Sequence, residues 1–184
     1  VEKVVISILG RDRPGIVAAV SRILSENGCN IQDVSQTTLQ TEFAGIFIAS
    51  LPNELEPKDL LSMLQKGLHA LRVDVLLRRL DHGGVPYDPP ASEPFVVTTM
   101  GADRLGLVAG ITEVMAHFGV NITHLKAVFR GGDDPHRNIM IYEVDVPVNI
   151  AHTDFRKALR QRAEKLGLDL SLQHRDIFET IHRV

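Results

Sequence analysis

The sequence contains no tryptophan, a single cysteine and few aromatic residues, 5% of 184. One cysteine, Cys29, excludes an intramolecular disulfide framework and a cysteine-based zinc site. It sits between a glycine and a strand-like run, where a small buried side chain is expected rather than a reactive thiol. Basic residues are not in excess: the net charge is −3 and the pI about 6.2. That balance gives no electrostatic reason to expect nucleic acid as a direct partner. The one local basic run, Arg156 to Lys165, reads as the solvated face of a helix. The amino-terminal stretch VEKVVISILG is too short and too charged for a membrane span and is unlike a secretion signal. A cytoplasmic protein without a membrane partner is expected.

What the chain does have is a repeat. GRDRPGIVAAVSRILSENGCNI, from Gly10 to Ile31, returns 91 positions later as GADRLGLVAGITEVMAHFGVNI, from Gly101 to Ile122. Before each copy stands a strand-like run, VVISILG and FVVTTMG. Within them, Ile16, Val17, Val20, Ile23 and Leu24 follow a helical spacing that Leu107, Val108, Ile111, Val114 and Met115 reproduce. Gly28 and Gly119 come next, where a left-handed helix cap suits glycine.

The pattern continues at an offset of 95, the four extra residues falling in RGGDDPHR, from Arg130 to Arg137. Each copy reads strand, helix, strand, strand, helix, strand. The expected fold is α+β: two ferredoxin-like βαββαβ domains, each a four-stranded antiparallel sheet with two helices on one face. The first domain is expected over residues 1–80 and the second over 95–184. Between them, residues 81–94 are rich in proline and glycine, which is linker chemistry. One sheet face and the sheet edges would stay uncovered, and units of this size are marginal alone. Pairing is therefore expected, including formation of a homo-oligomer.

The loop GRDRPG joins a strand to a helix amino end, where free N–H groups and the helix dipole favour an anion. Neither copy has the lysine of a phosphate loop, and the spacing is not that of a dinucleotide site. Asp12 would repel phosphate but accept hydrogen bonds from an ammonium group. Asn30, opening the next strand, offers a donor and an acceptor. Together these groups suit a zwitterion, an α-amino acid. The alternative is structural: Asp12 caps the helix or braces the turn, and Asn30 bonds to backbone.

In combination, the D-R-x-G turn, the helix and the G-x-N-I entry to the next strand resemble the ACT domain, a small ligand-binding regulatory module. The resemblance covers nearly the whole chain as two tandem copies. Among proteins made only of two such modules, it is most similar to the glycine-cleavage-system transcriptional repressor group; NIQDVSQ also resembles the regulatory modules of formyltetrahydrofolate deformylases. It implies amino-acid-responsive regulation of a partner protein, with glycine or serine as ligand, held at interfaces between modules. The implied ligand-binding residues are Asp12, Gly15, Ile16, Asn30 and Ile31, and in the second copy Asp103, Gly106, Leu107, Asn121 and Ile122. Leu105 replaces Pro14 and Ala102 replaces Arg11, so the two sites need not take one ligand. A ligand-free dimerisation module and a detached regulatory subunit of a folate or purine enzyme are the other readings.

No cofactor, metal set or catalytic residue is expected. His117, His124 and His136 do not fall at metal-ligand spacing. Asp133 and Asp134 resemble a solvated turn more than paired catalytic carboxylates.

Overall fold

The computed structural model describes residues 2–80, 89–129, 134 and 138–182. The chain divides into two compact units, Val1–Tyr87 and Asp88–Val184. The first runs β1 (Lys3–Arg11), α1 (Ile16–Glu26), β2 (Asn30–Leu39), β3 (Glu42–Ser50), α2 (Pro57–Leu68), a short 3-10 turn (His69–Leu71) and β4 (Val73–Arg79). The second repeats this as β5 (Ser92–Gly101), α3 (Leu107–His117), β6 (Asn121–Phe129), β7 (Asn138–Pro147), α4 (His152–Leu166) and β8 (Leu168–His174). It then adds a helix without counterpart in the first unit, α5 (Arg175–His182). Strand orders are β2-β3-β1-β4 and β6-β7-β5-β8, and the neighbours pair antiparallel. This is the expected α+β, ferredoxin-like arrangement.

Period-two alternation explains the sheets. Val4, Ile6 and Ile8 turn to the helices and are buried, as are Phe47 and Ala49 on β3. Against them lie Ile16, Val20 and Leu24 of α1 and Leu60, Leu64 and Leu68 of α2. Each fully buried side chain of this kind contributes about 1.5–3 kcal/mol. The second core repeats the scheme with Val97, Tyr142 and Val144 under Ile111, Met115, Phe155 and Leu159.

Gly28 and Gly119 adopt φ of 70° and 68° just past α1 and α3. The N–H of Gly28 donates to the Ser25 carbonyl (3.1 Å) and that of Cys29 to the Leu24 carbonyl (2.9 Å). The pair at Gly119 and Val120 is the same, to Ala116 (3.0 Å) and Met115 (2.9 Å). Both helices therefore end in a Schellman motif.

β5 begins at Ser92, three residues inside the stretch read as linker. Ser92, Glu93 and Pro94 pair with Pro147, Val146 and Asp145 of β7, whereas β8 reaches only as far as Phe95. Among the described residues no strand pairs with β5 on the β8 side before Phe95, so a proline there costs no bond to β8. Residues 81–88 of that stretch lie outside the described residues. So does most of the longer turn, including Asp133 and His136.

Candidate functional site

The turn after β1 is built by backbone. The Asp12 N–H donates to the Thr41 carbonyl at 2.7 Å, tying the turn to the β2–β3 hairpin. Gly15 is the N-cap of α1 at φ 97° and Gly106 that of α3 at φ 83°, both left-handed. A side chain with a Cβ would strain either position. No side chain caps either helix. The first intrahelical bonds are Ala19 N–H to the Gly15 carbonyl (2.9 Å) and Gly110 N–H to the Gly106 carbonyl (2.8 Å). The N–H groups of Ile16, Val17 and Ala18 thus have no acceptor within α1, and the positive end of its dipole is open. Of the two roles left to Asp12 by the sequence, helix capping is excluded.

These groups line an open cleft of about 350 Å³. Asp12, Arg13, Gly15, Ile16 and Ala18 come from the turn and the first turn of α1. Gln36 and Phe43, which the sequence reading had not assigned, complete it from β2 and β3. Gln36 lies opposite Gly45, and Phe43 is buried. The cleft so offers backbone donors, a side-chain amide, a carboxylate and an aromatic base. Counting by twos along β2 finds Gln36 only when the strand's register is known.

Asn30 and Ile31 are elsewhere. Asn30 pairs with Ser50, which also faces Lys3 at the start of β1. Arg11, before the Asp12 turn, pairs with Glu42, eight residues away along β3. At about 3.3 Å per residue the separation is roughly 26 Å. The expectation that Asp12 and Asn30 meet as neighbours is corrected: within one unit the sheet holds them at opposite ends. The crossover helix α1 carries the chain back along the whole sheet before β2 begins.

The second unit shares the plan and differs in detail. Asn121 and Ile122 line a separate open cleft of about 450 Å³ beside Thr112 and Met115 of α3. Asp103, Gly106 and Leu107 lie at the other end, around the α3 amino terminus. There the repeat replaces Gln36 by Ala127 and Phe43 by Asn138, which is buried. Leu105, in place of Pro14, is fully exposed.

The other candidates fall outside both clefts. Burial raises the Cys29 thiol pKa, consistent with an unreactive structural role. His117 ends α3 with its ring edge-on to Phe118, 5.3 Å between centroids, and His124 is exposed on β6. Among the described residues, no three His, Cys, Asp or Glu side chains group to hold a metal. No helix among them is long and apolar enough to cross a membrane. Along the basic run, Arg162 pairs with Glu113 at 3.5 Å, while Arg156, Lys157 and Arg160 are exposed.

The sequence matches the ACT domain family over residues 2–77 and 93–173. A UPF0237 protein of Methanopyrus kandleri is 39% identical over 80 residues, 43% of this chain and 89% of that protein. One of Methanosarcina acetivorans is 34% identical over 93 residues, 50% of this chain and 98% of that protein. A crystal structure of an unknown protein from Galdieria sulphuraria superposes with a TM-score of 0.73 at 26% identity, covering 94% of this chain and 98% of that one. A candidate glycine cleavage system transcriptional repressor shares the fold at 20% identity, with a TM-score of 0.63 over 94% of this chain and 96% of that one.

Proposed function

The chain belongs to the ACT-domain family, and from that premise we propose that it is a non-catalytic regulatory protein that responds to a small amino acid. The carrying observation is the uncapped α1 amino end beside Asp12. The free N–H groups and the Gln36 amide hold the ligand's carboxylate, and Asp12 accepts from its ammonium group. Charge-assisted hydrogen bonds contribute about 1.5–3 kcal/mol each. A millimolar dissociation constant needs only about −4 kcal/mol, so a few such bonds suffice after ordering costs. Glycine and serine fit, having little side chain to place. The first unit is the main site, because Ala127 in the second lacks the amide of Gln36.

Asn30 joins the site from a second copy of the chain. β2 is an edge strand with nearly every residue exposed, the kind of edge that invites pairing. Antiparallel pairing of β2 with its own copy about a twofold axis brings Asn30 of one chain level with the Leu39 end of the other. That end adjoins the Asp12 turn, so each homodimer contains two such sites. Ligand binding there stabilises the dimer and changes the surface offered to a protein partner, such as a transcriptional activator.

Thermal unfolding with each standard amino acid tests this. At ten times the dissociation constant, mass action adds about 1.4 kcal/mol. That corresponds to a rise of several degrees in a domain of this size. Glycine or serine should produce it, and Asp12→Ala should abolish it. No shift with any amino acid at millimolar concentration would overturn the amino-acid reading in favour of a ligand-free dimerisation module or a detached regulatory subunit.

A further inference from the structure

The first unit has a second cleft, of about 730 Å³, where the end of α2, the 3-10 turn and the start of β4 meet. Gln65, His69, Arg72 and Asp74 form its polar rim, and Val73 and Val75 its apolar wall. Gln65 and His69 stand one helical turn apart on the same side. Arg72 is presented from an unusual backbone, φ 52° and ψ 49°. That left-handed conformation penalises any residue with a Cβ. The second unit makes the same join with Gly167, at φ 66° and ψ 35°, where glycine is relaxed. A guanidinium thus lines the cleft of one copy at a backbone penalty that the other copy avoids. Strain of this kind, at a polar concavity, is a mark of a binding function.

We propose that this cleft is a small-molecule site distinct from the Asp12 turn. Its ligand carries an oxyanion, carboxylate or phosphate, at one end and a hydroxyl or amino donor at the other. The planar guanidinium of Arg72 holds two oxygens of the anion side by side. The Gln65 amide and a ring N–H of His69 add donors. Asp74, which pairs with Leu9 on the opposite face of edge strand β4, accepts from the far end around that strand's outer edge and so selects against a bare anion. Val73 and Val75 cover the carbon skeleton between them. The volume falls within the range of about 300–1,000 Å³ usual for such sites.

Glycerol 3-phosphate and glycerate share this chemistry and differ only in the oxyanion. Titration of the full-length, isotopically labelled protein with each should shift the amide resonances of residues 65–75 saturably in the millimolar range. The tighter of the two identifies phosphate or carboxylate as the preferred anion. Arg72→Gly relieves the backbone, so its melting temperature should equal or exceed that of the parent protein, while affinity falls about tenfold or more. Arg72→Gln, which keeps the side-chain bulk without the charge, should also bind weakly. Asp12→Ala should leave these shifts unchanged, which separates this site from the one proposed above. The proposal is overturned if neither compound gives saturable shifts, if Arg72→Gly and Arg72→Gln bind like the parent, or if Arg72→Gly melts at a lower temperature.

Discussion

Tyr142 is fully buried in the second core, its hydroxyl donating to the Met140 sulfur at 3.2 Å. Burial pushes its pKa up to about 12, from 10 in a solvated phenol. Between these values the unfolded chain has released a proton that the folded chain retains. The contribution is complete below about pH 10 and is lost at about 1.4 kcal/mol per pH unit as pH rises through the folded value. Tyr142→Phe should remove this part of the alkaline decline and alter neutral-pH stability little, as urea unfolding of both proteins in neutral and alkaline buffer would show. The Asp12 turn rests on single residues in another sense. A glycine at the cap supplies no oxygen of its own, so the amino end of α1 stays uncapped by any side chain. That part of the site was legible in the letters, because D-R-x-G is local. Gln36 and Phe43 were not, since the pairing of β2 with β3 sets their place and no spacing within either strand records it.

At the scale of elements, the helices were easier to read than the edge strands. α1 and α2 have one apolar stripe each, which sequence periodicity displays directly. β2 has almost no buried position, so no alternation betrays its faces. β2 and β6 also shift register near their starts, between Ile31 and Asp33 and between Ile122 and His124. A bulge there reverses which residues face the helices, and the sequence gives no sign of it. The second helices offer the clearest energetic test. Leu64 on α2 and Leu159 on α4 occupy matching places in the repeat and are fully buried. Leu64→Ala and Leu159→Ala should each cost about 2–5 kcal/mol. Hydrogen exchange would localise the loss, Leu64→Ala speeding amides of β1 and β3 and Leu159→Ala those of β5 and β7.

For the whole molecule, duplication made the topology legible: two offsets, 91 and 95, align every strand and helix of one unit with the other except α5. Duplication did not make the sites equal, since Ala127, Asn138 and Leu105 stand where Gln36, Phe43 and Pro14 shape the first cleft. The misplacement of Asn30 has a simple cause. A residue just after a crossover helix is near in sequence to the residue just before it, yet the helix runs antiparallel to the strand it leaves. Position in the chain suggested proximity, and the sheet imposes its full length between them.

In the proposed dimer, that length makes Asp12 and Asn30 separate complementation groups. Asp12→Ala and Asn30→Ala chains, each blind to the amino acid when pure, should recover part of the response when unfolded together and refolded as a mixture. In each hybrid dimer one pocket draws a sound turn from one parent and a sound asparagine from the other, while its twin inherits both defects. Calorimetry on the hybrid should count one bound ligand per dimer, half the parental number.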